Sequence, residues 1–180
     1  MEEQKDYSGQ FDSGLRVDDF SKETLVKLWL SSSKLFTGIA GLYLSDLRAR
    51  FGDKIGFELD EEVWRKTIPL EIKFVTEAIN SCGHDVAAVF KFLQCYAAAG
   101  GQMDMELDLK KENHGIFTVK KCQAYAKGRD PETTKHYCGM CQWGWELQAH
   151  IINPNLKVTC LKLPPPKSKE EIACQWEYKL

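Results

Sequence analysis

The chain has 180 residues, 43% of them hydrophobic and 28% charged, the balance of a soluble globular protein of one ordinary domain or two very small ones. Its formal net charge of -2 supplies no basic excess for a nucleic-acid backbone or an anionic membrane, and no apolar run reaches the roughly 20 residues that span a bilayer. The acidic, polar opening MEEQKDYSGQFDSG is the opposite of a signal peptide, so a cytoplasmic location is expected, with no nucleic-acid or membrane partner.

Residues 1–18 carry little apolar content and read as a flexible arm. A helix is predicted to start near Ser21, capped by Ser-Lys-Glu-Thr, with Leu25, Leu28, Trp29, Leu35 and Phe36 near helical spacing. Gly38 and Gly41 interrupt it, and Leu42, Leu44, Leu47 and Phe51 continue the pattern to Gly52-Asp53. A further helical stretch covers about 59–79, with a kink or a break expected at Pro69. Asp85 caps the next helix, which runs to about Ala99 before Gly100-Gly101.

After the double glycine the period changes from helical to twofold. Met103, Met105, Leu107 and Leu109 alternate with Asp104, Glu106, Asp108 and Lys110, a half-buried strand with a wet acidic face. Glu112 to Gly115 is the turn, and Ile116 to about Cys122 the returning strand. Residues 126–137 read as a polar loop, followed by a helix from about Cys138 to Ile152 that Asn153-Pro154 stops. Leu156, Val158 and Cys160 alternate on a third strand, Pro164 to Pro166 belong to a connection, and Ile172, Cys174, Trp176 and Tyr178 alternate on a fourth.

The order predicts an α+β fold, an N-terminal bundle of four or five helices followed by a four-stranded antiparallel sheet in hairpin-helix-hairpin order. Residues 19–180 then form a single domain, helical over 19–100 and cysteine-rich sheet over 101–180.

Seven cysteines in a reducing compartment point to metal ligation or redox chemistry before disulfides. Cys82 and Cys95 read as small neutral residues. The other five gather in the second half: Cys122 ends a strand, Cys138 and Cys141 open the internal helix, and Cys160 and Cys174 are expected to be cross-strand neighbours. A helix N-terminus favours thiolates, and zinc or a [4Fe–4S] cluster wants four soft donors converging in this way. With one C-x-x-C and thirteen residues between Cys160 and Cys174, the spacing names no established zinc motif. The bland alternative makes Cys160 and Cys174 core residues and Cys138 with Cys141 a redox pair or bystanders. His136 is solvated, a metal ligand, or a base beside a thiol. The rings Trp143, Trp145, Trp176 and Tyr178 read as packing, or as the lining of a pocket.

The tail NPNLKVTCLKLPPPKSKEEIACQWEY resembles the end of an uncharacterised prokaryotic family common in anaerobes, related to the L-2-amino-thiazoline-4-carboxylic acid hydrolase-like proteins. YSGQFDSGLRVDDFSKETLVKLW looks like the start of such proteins, and hairpin, helix, hairpin with late cysteines is distantly similar to the vinyl-reductase (4VR) ligand-binding fold. The resemblance implies that the recurring cysteines fall on Cys122, Cys138, Cys160 and Cys174, with Cys141 an extra thiol that leaves open which of the C-x-x-C pair is the ligand. No complete set of that hydrolase's catalytic residues maps onto the chain.

Two functions are therefore expected. One is a metal-binding domain, zinc or [4Fe–4S], that also binds a small apolar or heterocyclic molecule or acts as a sensor. The other is a cysteine-dependent hydrolase of a cyclic amidine or thiazoline, with Cys138 or Cys141 as nucleophile and His136 as base. Either reading allows a homodimer.

Overall fold

A computed structural model describes residues 7–99, 103–125, 129–164, 166, 168 and 171–180. The α+β class holds, with helices α1 (Lys22–Ala78) and α2 (Val86–Cys95), strands β1 (Met103–Lys111) and β2 (His114–Cys122), helix α3 (Pro131–Ile152), and strands β3 (Lys157–Lys162) and β4 (Cys174–Lys179).

The helix count is smaller than the four or five expected of the N-terminal part. One helical span, α1, covers 57 residues, entered through Ser21, whose hydroxyl accepts from the Thr24 N–H. Gly38, Gly41 and Pro69 lie inside it without breaking it, and Pro69 is exposed. Its one non-helical position is Gly52, at φ 79° and ψ 166°, a region essentially open only to glycine. The chain reverses there. The rings of Phe36 and Trp64 meet edge-on at 5.8 Å, whereas 28 residues of straight helix would hold them about 42 Å apart. Gly56 admits the return: a Cβ there would stand 2.9 Å from the Arg48 backbone nitrogen. The span is thus a helical hairpin of two arms, 22–51 and 53–78.

The second half follows the sequence pattern closely. The four strands form one antiparallel sheet in the order β1-β2-β4-β3, with β1 at an edge, where Asp104 and Glu106 face solvent as their alternation requires. The α2 side chains Val89, Phe92 and Leu93 meet Phe117 and Val119 of β2 and Trp176 and Tyr178 of β4 in one core. Trp145 and Ala149 of α3 and Leu156 close it.

Helix α3 begins at Pro131, seven residues before the expected Cys138. Asp130 caps it by accepting from the Thr133 N–H, and Pro131 opens the first turn. The polar look of 129–137 hid a helix whose inner face carries few apolar residues. Both ends of α3 are tied to the helical half. At the C-terminal end, His84 Nδ1 donates to the Ile152 carbonyl at 3.0 Å, and Asn153 Nδ2 donates to the His84 carbonyl at 2.7 Å.

At the N-terminal end, the Arg48 guanidinium bonds Asp53 at 2.8 Å and Asp130 at 2.7 Å and lies over the Phe57 ring. Thr133, through its hydroxyl and N–H, and then Arg48 hold the Asp130 carboxyl down at about 2. Phe57 stacks on His136 with ring centroids 4.3 Å apart. His136 Nε2 meets Asp60 Oδ2 at 2.8 Å, and Asp60 is 1% exposed. This sequence of contacts clamps the hairpin to α3.

Removing one member of a buried, hydrogen-bonded pair strands the other in low dielectric. His136→Leu is expected to destabilise the fold by about 3–5 kcal/mol, and Asp60→Leu/His136→Phe by distinctly less, since the second variant leaves no orphan charge. Urea unfolding of the two variants measures the difference.

Candidate functional site

The clamp holds α3 against the hairpin at one end of the sheet, and a cavity of about 210 Å³ remains between them. Phe36, Ala40 and Gly41 of the first arm and Trp64, Ile68 and Glu71 of the second form one side. Met140, Cys141, Trp143, Trp145 and Gln148 of α3 form another, and Tyr96, Met103 and Cys122 close the sheet end. The lining is mostly rings and sulfur atoms, with few polar groups. Glu71 is one: burial pushes its carboxyl up, against the Ala97 N–H that it accepts at 2.8 Å. Tyr96, 4% exposed, directs its hydroxyl at the Met103 sulfur, 3.4 Å away. On three of the lining residues, Trp143 Nε1, Trp145 Nε1 and Gln148 Oε1 are buried without a protein partner.

Of the rings flagged in the sequence, Trp143 and Trp145 line this cavity, whereas Trp176 and Tyr178 belong to the core. The contributions of Phe36, Trp64, Glu71 and Tyr96 were not legible, because they depend on the reversal at Gly52 bringing two distant helical stretches together.

The thiols are brought toward one another but not into contact. Cys141 lies at the middle of α3, three positions after Cys138, and the two face different spaces. Cys141 and Cys122 line the cavity, while Cys138 lines a neighbouring cleft with Tyr125, Arg129 and Lys135. Tyr125 Oη and Cys138 Sγ are hydrogen-bonded at 2.8 Å. Cys174 begins β4 opposite Val119, and its sulfur accepts from the Trp176 indole N–H at 3.2 Å. Cys160 pairs with Trp176, not Cys174, so the two cysteines expected to be cross-strand neighbours are diagonal instead.

Burial pushes all five thiols up, Cys174 to about 12 and Cys141 well above the ordinary range. Neighbouring thiols add to this at Cys141, where Cys122, Cys174 and Cys138 each contribute. Since α3 starts at Pro131, Cys138 and Cys141 sit in its interior, beyond the first turn where a helix terminus favours thiolates. Among the described residues no three histidine, cysteine or carboxylate groups are gathered as metal ligands.

His136 does not meet a thiol. Two residues from Cys138 on the same helix, it points to another side, and its Nε2 is engaged by Asp60. His114 bonds Glu177, His150 bonds the Leu156 carbonyl, and His84 the end of α3.

These environments set an order of alkylation. With iodoacetamide at neutral pH, exposed Cys82 is expected to react first and Cys138 slowly, whereas Cys141 and Cys174 should stay unmodified until the chain unfolds. Peptide mass spectrometry over a time course reads the order, and immediate labelling of Cys138 or Cys141 would restore the nucleophile reading.

No curated protein and no solved structure matches this chain. A family model does match, and it extends from residue 18 to residue 180, across the hairpin, the sheet, α3 and every residue of the cavity. Over that span the chain belongs to the family of unknown function DUF6125.

Proposed function

We propose that this protein is a small-molecule-binding or sensory domain whose ligand occupies the cavity between the hairpin, α3 and the end of the sheet. The observation that carries the reading is the cavity itself, about 210 Å³ lined by aromatic and sulfur-bearing side chains. Protein interiors pack to crystal density, and voids this large are few. An apolar cavity of about 150 Å³ takes up benzene, so this one suits a molecule of one or two rings. A single heterocycle, such as the amino-thiazoline carboxylate that the hydrolase resemblance suggests, falls within that range. The buried Glu71 carboxyl and the unpartnered Trp143, Trp145 and Gln148 groups give a heterocycle something to pair with after small side-chain shifts. Leaving such a group unpaired costs about 1–3 kcal/mol, which a ligand that satisfies it would recover.

Gly144 provides the test. It lines the cavity, and a Cβ placed on it meets nothing within 4 Å. Gly144→Leu should fill the space and also improve the helix by up to about 1 kcal/mol. Calorimetric titration with quinoline, a two-ring probe, should show binding to the wild-type chain and at least tenfold weaker binding to the variant, with an equal or higher Tm. Equal affinity for both, or no binding to either, would overturn the reading.

The thiols support a second reading, a four-thiolate zinc or [4Fe–4S] site on Cys122, Cys138, Cys141 and Cys174, with Cys160 at its margin. Its support is the mutual electrostatic influence of these four groups at one end of the sheet. Such a site requires the sulfurs to turn toward a common point and lose their protons, which a soft metal ion would drive. Elemental analysis and a UV-visible spectrum of protein purified without oxygen decide it. About one zinc per chain, or iron with sulfide and a brown colour, supports the metal reading. Metal-free protein that still binds quinoline leaves the pocket as the functional feature.

A further inference from the structure

The first arm of α1 is apolar on two opposite sides. Its inner side follows the 3–4 spacing of a packed helix: Ser33, Leu44 and Leu47 are buried, and Leu30, Thr37 and Ala40 half-buried. Its outer side carries two stripes at strict seven-residue spacing, Leu28-Leu35-Leu42 and Trp29-Phe36-Tyr43, with Ile39 between them. Every one of these seven is exposed, Leu35 at 65%, Ile39 at 57% and Leu42 at 75%. Polar residues gather on a third sector at Lys27, Ser31, Lys34 and Ser45, and only Ser32 and Asp46, seven residues either side of Ile39, stand on the apolar side itself.

Together the seven side chains expose on the order of 700 Å². That exceeds the ~300–600 Å² patch usual for a monomer, and it approaches the ~800 Å² that each partner contributes to a standard interface. We infer that this face is the interface of a homodimer, in which the first arm packs against the same arm of a second copy. Three features single out a second copy as the occupant. The exposed area matches half of such an interface. The seven-residue repeat is the seam of a helix–helix contact, with leucine at every second turn along one stripe. The stripe is also symmetric about its middle, Leu28 and Leu42 each standing seven residues from Leu35, and a two-fold interface must be complementary to itself. With Leu35 on the axis and the arms antiparallel, Leu28 of one copy meets Leu42 of the other. Phe36 belongs both to this face and to the cavity wall, so the dimer would also cover that side of the cavity.

Sedimentation velocity on the full chain at micromolar concentrations tests the inference. The wild-type protein should sediment at twice the chain mass of 20.6 kDa. Leu35→Glu and, separately, Leu42→Lys place a charge in the seam, and each should weaken association at least about 30-fold. Because both side chains are exposed in the single chain, far-UV circular dichroism should not change, and the urea midpoint should fall only by the stabilisation that dimerisation had added. Three results would overturn the inference: a wild-type monomer up to hundreds of micromolar, a dimer indifferent to both substitutions, or a monomer that binds phosphatidylcholine–phosphatidylglycerol vesicles until Leu35 or Leu42 is charged, which would give the face to lipid.

Discussion

The architecture depends on the reversal at Gly52 and on the stack that secures it. A single residue at positive φ turns one long helical span into a hairpin, and Arg48, Phe57, His136 and Asp60 then fasten that hairpin to α3. Without the reversal the two arms would not meet, and the cavity would have no hairpin side. Burying Asp60 and His136 together carries a desolvation cost that their mutual contact must offset. The pair is therefore weak evidence for stability and stronger evidence for a specified docking geometry.

Much of this could be read from the residues. The period change after Gly101 located the sheet, and alternation gave every strand within a residue or two, including the wet face of β1. Ser21 and Asp85 announced their helices through their side chains. The misses share a cause. Asp130-Pro131-Glu132 carries a helix start as clear as the others, but the polar residues after it concealed the helix, because α3 meets a clamp and a cleft there and not an apolar core. Pro69 was expected to kink or split its helix, and the helix runs on through it with the proline exposed. Gly38 and Gly41 leave the helix unbroken, whereas Gly52-Asp53, where the apolar pattern ended, is where the chain reverses.

The candidate site was half legible. Five thiols in the second half, with two tryptophans beside them, drew notice as a set, and Cys122, Cys141, Trp143 and Trp145 do share one cavity wall. Their mutual placement was not legible: helix phase turns Cys138 and Cys141 to different spaces, and the sheet register sets Cys160 diagonal to Cys174. Spacing along a chain fixes neither of those. Nor could it show that His136 would turn to a carboxylate 76 positions away instead of to the thiol two residues on.

One feature of α3 bears on how a molecule could enter. The helix is fastened at its start through Asp130 and His136 and at its end through Asn153 and Ile152, with Trp145 and Ala149 set in the core between. That wall of the cavity is stiff, and moving it would break contacts at both ends of the domain. The opposite wall, Phe36 to Gly41 of the first arm, is held on one side only and its outer surface is uncovered in the single chain. The cavity is therefore a part-open cleft with one rigid side and one compliant side, and whatever rests on the outside of the first arm would set how far the compliant side can yield.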